Sequence, residues 1–186
     1  MIKYYTEDQV KQGTDEWLEL RKDKITGTDA IHILNGKSLE EILDMKNKGG
    51  SFKGNYWTRR GHILEDESRE IYSKVKNKVD TYGFITNSKY PQAGYSPDGI
   101  IGEDGLWENK AFGAERHLET YENLTPAIIA QTQYGLFVTE RKWCDLTLYN
   151  PDIEVEKAFL VKRITPIPEI QQKFKDFFKK YNKEKK

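Results

Sequence analysis

The sequence has one cysteine, two methionines, six prolines and no net charge. A lone Cys144 excludes an internal disulfide, and nothing around it supplies a zinc cluster, so its expected place is a buried strand. With 30 Lys and Arg against 30 Asp and Glu, the chain has no general attraction to nucleic acid or membrane. Any polyanion site must therefore be local. No apolar run approaches the roughly 20 residues that cross a bilayer, and MIKYYTEDQV lacks the apolar stretch of a secretion signal. A cytoplasmic protein with no membrane contact is expected. Repeats, long linkers and domain breaks are also missing, so residues 1–186 read as a single domain with its own core.

What is present is unevenly placed. From Lys162 onward nine Lys or Arg face only Glu169, Asp176 and Glu184, a surplus of six, which suits a solvated terminal helix or one that meets DNA. Helix signals occur in several places. Thr14 precedes DEWLELRK as a cap, Thr26 or Thr28 precedes a short helix through Leu34, and Ser38 with Glu41 has capping-box spacing. NKGGSFKGN reads as a surface loop. Residues 56–75 form a long helical pattern with Trp57, Leu64, Ile71, Tyr72 and Val75 on its apolar face. Pro126 and Pro168 each open a further helix, although Gly135 weakens the first. Strands are expected around 79–86, 93–101 and 105–111, split by turns at NSKYPQ and GEDG, and again at KWCDLTLYN and EKAFLVKRI. This order predicts an α/β fold in layers. Trp17, Trp57, Trp107 and Trp143 read as packing residues.

The chemistry concentrates in SPDGIIGEDGLWENK. Side chains two apart on a strand share a face, so Glu108 and Lys110 look the same way while Asn109 looks away. A glycine-rich turn can return Asp98 to that face. Two carboxylates from separate segments suit Mg²⁺, which takes hard oxygen ligands, keeps waters and bridges to phosphate oxygens; Mn²⁺ is able to substitute. Lys110 would orient or deprotonate the attacking water. Glu65 on the long helix is a further carboxylate for the metal, and the Asn109 backbone carbonyl is another ligand. A phosphodiester uses all these groups. Arg59 and Arg60 suit either a DNA backbone or plain solvation, and His62 lies three residues before Glu65, near the same cleft.

Four blocks in order, DEWLELRKDKITGTDA, RRGHILEDE, AGYSPDGIIGEDGLWENK and IIAQTQYGLFVT, resemble the lambda exonuclease and YqaJ-like viral recombinase family of PD-(D/E)xK nucleases. The resemblance implies a restriction-endonuclease-like core, a mixed central sheet flanked by helices. It also implies a metal-dependent 5′-to-3′ exodeoxyribonuclease that leaves a 3′ overhang for recombination. Asp98, Glu108 and Glu65 then fall at metal positions and Lys110 at the water. Arg21, Thr28, Ser96 and Gln131 fall where the family holds a terminal 5′ phosphate, with Gln131 rather than Gln133 facing the metal cleft. The implied partners are double-stranded DNA ends, a single-strand annealing protein and two further copies in a homotrimer. A related endonuclease or flap nuclease would use the same centre, and a non-catalytic end-binding accessory protein is the reading from another class.

Overall fold

The computed structural model describes residues 1–48 and 56–183, with side chains of 56–59 and 183 outside that description. Most of the NKGGSFKGN loop and the side chains of Trp57 and Arg59 therefore lie outside the described residues.

The chain begins with β1 (Ile2–Tyr5), α1 (Asp15–Lys22), a 3₁₀ turn (Gly27–Asp29), α2 (Ala30–Leu34), α3 (Leu39–Lys48) and α4 (Tyr56–Val75). The strands β2 (Phe84–Asn87), β3 (Tyr90–Tyr95), β4 (Gly99–Ile101) and β5 (Gly105–Lys110) follow. Then come α5 (Ala114–Glu122), α6 (Pro126–Thr139), β6 (Trp143–Tyr149), α7 (Val155–Ala158), β7 (Phe159–Ile164) and α8 (Pro168–Lys183). Local chemistry explains many boundaries. Thr14 caps α1, and Ser38 and Glu41 exchange side-chain to backbone bonds of 3.1 and 2.7 Å ahead of α3. Thr26 rather than Thr28 opens the 3₁₀ turn, because the Asp29 carboxylate accepts both its N–H and its hydroxyl at 2.8 Å.

The strands form two sheets. One is antiparallel in the order β1-β2-β3, and the other is mixed in the order β4-β5-β6-β7, with β5 and β6 parallel. Several expected strand boundaries move. The strand expected over 79–86 begins only at Phe84, and the one expected over 93–101 breaks at residues 96–98 into β3 and β4, which belong to different sheets. Tyr90, Pro91 and Gln92 belong to β3 rather than to a turn; β3 is the end strand of its sheet, where a proline lacking an N–H is tolerated. Residues 155–158 wind into α7 before β7 begins, so the strand expected over EKAFLVKRI is shorter.

The main core gathers α6 and α8 over the sheets. Tyr134 meets Phe174 edge-on at 5.3 Å and Phe137 stacks with Phe178 at 5.7 Å, which buries the aromatic stripe of α8. Truncating either fully buried phenylalanine to alanine should cost about 3–5 kcal/mol. A second cluster of Tyr72, Val79, Ile101 and Trp107 fastens α4 to β4 and β5. Leu64, Ser68 and Tyr72 are buried at successive turns of α4, whereas Val75, at its end, is 64% exposed and leaves the expected apolar face. Trp107 is wholly buried, but Trp17 is only half-buried and joins neither core cluster.

Candidate active site

The hairpin β4-β5 builds the centre. Gly102 turns it with φ +51°, a left-handed conformation that costs glycine little. Pairing of Gly99 with Trp107 then carries Asp98, just ahead of β4, alongside Glu108. The Asp98 Oδ2 accepts the Asn109 N–H at 2.9 Å. Lys110 Nζ stands 3.2 Å from Glu108 Oε2 and 3.9 Å from Asp98 Oδ2, so one ammonium joins both carboxylates. The Asn109 side chain points the other way and accepts from Ser68 of α4 at 2.7 Å, in the buried layer.

That bond and a 2.5 Å bond from Tyr72 to Asp145 set the height of α4 on the sheet. Glu65, next to buried Leu64, consequently reaches the same cleft as Asp98. The cleft holds about 450 Å³ and is also lined by Lys11, Trp17, His62 and Arg69. Arg69 donates to Glu65 at 3.0 Å and pairs with Asp66 at 2.9 Å. Arg60 bonds Asn150 at 3.2 Å and Asp152 at 2.5 Å. From α6, Gln131 donates to Glu108 Oε2 at 3.0 Å, while buried Gln133 spends its amide on Thr165 and Ile167 ahead of α8.

Electrostatics mark the cluster as short of positive charge. Burial, then the Asp98 charge, pushes Glu108 up to about 8, and the same two causes push Glu65 to about 7. Burial would lower Lys110, but Glu108 and Asp98 together outweigh it and hold the ammonium above its usual value. Among the described residues no three His, Cys, Asp or Glu groups form a ready metal cage. The donor set nevertheless fits a hard divalent ion that keeps most of its waters, since two carboxylates already converge and a third lines the approach. Asp98, Glu108 and Glu65 are the side chains that would hold it.

A second group of polar side chains adjoins the first. Ser96 accepts from Arg21 at 3.0 Å and from the Trp17 indole at 2.9 Å. Arg21 also lies over the Trp17 ring, 4.1 Å from its centroid, and reaches Thr26 at 3.5 Å. Thr28 is exposed, its hydroxyl 3.4 Å from that of Thr26. Burial lowers the Arg21 pKa, with Asp29 opposing. Trp17 was expected in the core; instead its N–H needs a partner and finds Ser96. Trp17, Thr26, Arg69 and Tyr95 were not singled out as site residues by sequence reasoning. Of these, Tyr95 had the one usable signal, its place next to SPDG.

A family model for the YqaJ-like viral recombinase domain matches residues 16–142, a stretch that contains Arg21, Glu65, Ser96, Asp98, Glu108, Lys110 and Gln131. The chain belongs to that family. Its fold is similar to that of LHK-Exo, an alkaline exonuclease from Laribacter hongkongensis, at 26% identity over 92% of this chain and 94% of that one, with a TM-score of 0.75. The same enzyme in complex with dAMP gives a TM-score of 0.76. A phage-related exonuclease from Haemophilus somnus shares the fold alone, with 12% identity, a TM-score of 0.57 and coverage of 88% and 96% of the two chains. No curated protein sequence is similar enough to count as a match. Among the described residues, no helix of this family member is long and apolar enough to cross a membrane.

Proposed function

We propose that the protein is a Mg²⁺-dependent exodeoxyribonuclease that removes nucleotides from the 5′-phosphorylated strand of a DNA duplex and leaves a 3′ overhang. The observation that carries this reading is the adjacency of two differently equipped groups. Arg21 and Ser96 meet two residues upstream of Asp98, whose carboxylate shares Lys110 with Glu108. Phosphate chemistry suits the first group and phosphodiester hydrolysis the second.

Each side chain has a role in this scheme. Arg21 offers a planar guanidinium to a terminal phosphate, with the hydroxyls of Ser96, Thr26 and Thr28 as shorter-range donors. Anchoring that phosphate would set the next phosphodiester over the carboxylates, where orientation contributes much of the rate. When bound, a divalent cation would polarise the phosphoryl oxygen and lower the pKa of a nearby water. Lys110, held protonated by its two acidic neighbours, orients that water and offsets negative charge building on the phosphoryl group. Gln131 keeps Glu108 turned toward Lys110. Phosphate contacts position the backbone without reading bases, so no sequence specificity is expected. Assembly into a ring of three and delivery of the 3′ strand to an annealing protein belong to the same proposal.

The test is a time course on duplexes whose two strands are labelled separately, with Mg²⁺, with Mn²⁺ and with chelator. Loss of the 5′-phosphorylated strand alone, only with metal, is expected. Equal cleavage of closed circular duplex would overturn the requirement for an end.

A further inference from the structure

The catalytic carboxylate of Glu108 is gripped from two directions. Lys110 and Gln131 occupy Oε2, on the Asp98 side. The other oxygen, Oε1, accepts the hydroxyl of Tyr95, which arrives from the end of β3 through the core and is 1% exposed. A buried phenol must find an acceptor somewhere, but its path here requires unusual room.

Two glycines supply that room. A Cβ at position 135 would lie 2.5 Å from the Tyr95 Cζ and 2.6 Å from its hydroxyl oxygen, closer than real side chains approach. Gly135 stands one turn after Gln131 on α6, so the helix presents an amide to Glu108 and, next to it, a gap for the ring. Glycine inside a helix costs about 1 kcal/mol relative to alanine, and at this position the ring fills the space gained. On the ring's other edge a Cβ at position 27 would stand 3.2 Å from Tyr95 Cε2 and 3.2 Å from Gln131 Cγ. Gly27 begins the 3₁₀ turn that follows Thr26, the Arg21 contact. The ring is thus wedged between the backbone beside Arg21 and the helix that bears Gln131.

We propose that Tyr95 is a positioning residue: by bonding Oε1 from inside the core, its hydroxyl fixes the orientation of the Glu108 carboxylate toward Lys110 and Asp98, where a divalent ion would be held. This rests on the metal-dependent nuclease reading given above. Without the hydroxyl, the carboxylate rotates about its last side-chain bond and presents its oxygens less consistently. Partners of metal ligands typically contribute 10- to 100-fold in affinity or activity.

The experiment compares the wild-type chain with Tyr95→Phe, which keeps the ring and deletes one oxygen. Mn²⁺ binding is measured by calorimetry in the absence of DNA. A loss of about 10-fold or more is expected, with kcat for a 5′-phosphorylated duplex falling in parallel and KM within about 2-fold. Gly135→Ala, which drives the ring away but leaves the hydroxyl on it, should reproduce the loss of Mn²⁺ affinity. A residue that only supports the core would lower Tm without moving Mn²⁺ affinity in the folded protein. Wild-type Mn²⁺ affinity in Tyr95→Phe would overturn the inference alone; should that variant not fold, unchanged affinity in Gly135→Ala does the same. A wild-type chain that bound no Mn²⁺ would overturn the nuclease reading and this inference together.

Discussion

Gln131 and Glu108 meet across 23 residues of chain, amide to carboxylate at 3.0 Å, and this contact joins α6 to the β-hairpin that carries the acidic groups. Gln131→Ala leaves Glu108 Oε2 with Lys110 as its only side-chain partner among the described residues. Turnover on a 5′-phosphorylated duplex should fall about 10- to 100-fold with little change in Tm. A variant with unaltered turnover would remove Gln131 from the proposed site.

Lys110→Ala deletes the ammonium shared by Asp98 and Glu108. Hydrolysis is expected to drop by about 10²- to 10³-fold, the usual cost of removing one electrostatic donor from a transition state. DNA affinity, read by fluorescence anisotropy, should stay within a few-fold. Near-normal hydrolysis would refute the assignment of the lysine.

Arg21→Ala addresses end recognition separately. The guanidinium pairs with Ser96 and Trp17 rather than with the carboxylates. Loss of one charge-assisted phosphate contact, worth roughly 1.5–3 kcal/mol, should cut the preference for 5′-phosphate over 5′-hydroxyl ends by about 10- to 100-fold. The rate on 5′-hydroxyl ends should hardly move. A preserved preference would show that the phosphate is held elsewhere.

The metal-free protein should become less stable on the alkaline side. Glu65 and Glu108 have folded pKa values raised to about 7 and about 8, above their unfolded value of about 4.3. Their contribution is therefore complete below pH 4 and is lost as pH rises through 7 and 8, where two buried carboxylates must ionise beside Asp98. Thermal melts in chelator should show Tm falling between about pH 5 and pH 8 and levelling above that, and Glu108→Gln should flatten that fall. Added Mg²⁺ should restore Tm at pH 8–9. A Tm that climbed over this range in the wild-type chain would contradict the electrostatic account.

Asp145 predicts the opposite limb. Burial raises its carboxyl, but Arg163, at 2.7 and 2.9 Å, and the Tyr72 hydroxyl outweigh burial and hold it below the ordinary value. A depressed carboxylate stabilises the fold above its unfolded pKa of about 3.9, and that stability disappears as pH falls through the lower folded value. Asp145→Asn should lower stability at neutral pH by about 1–3 kcal/mol and show a shallower acid limb in denaturant titrations. Identical acid limbs in the two proteins would rule out this role.

Much of this molecule could be read from short stretches of the chain. Thr14, Ser38 with Glu41, Pro126 and Pro168 stand at helix starts because capping bonds and the fixed proline backbone operate within three or four residues. The shared face of Glu108 and Lys110 is likewise dictated by the two-residue period of a strand. The positions of Tyr95, Trp17 and Gly135 were decided only in three dimensions. Tyr95 reaches Glu108 across 13 residues, and Trp17 leaves the core for Ser96 across 79. Gly135, which locally weakens a helix, is required by a ring from another layer. Capping and periodicity act between chain neighbours, whereas a buried hydroxyl or indole takes its partner from whatever the packed sheets and helices bring within bonding distance.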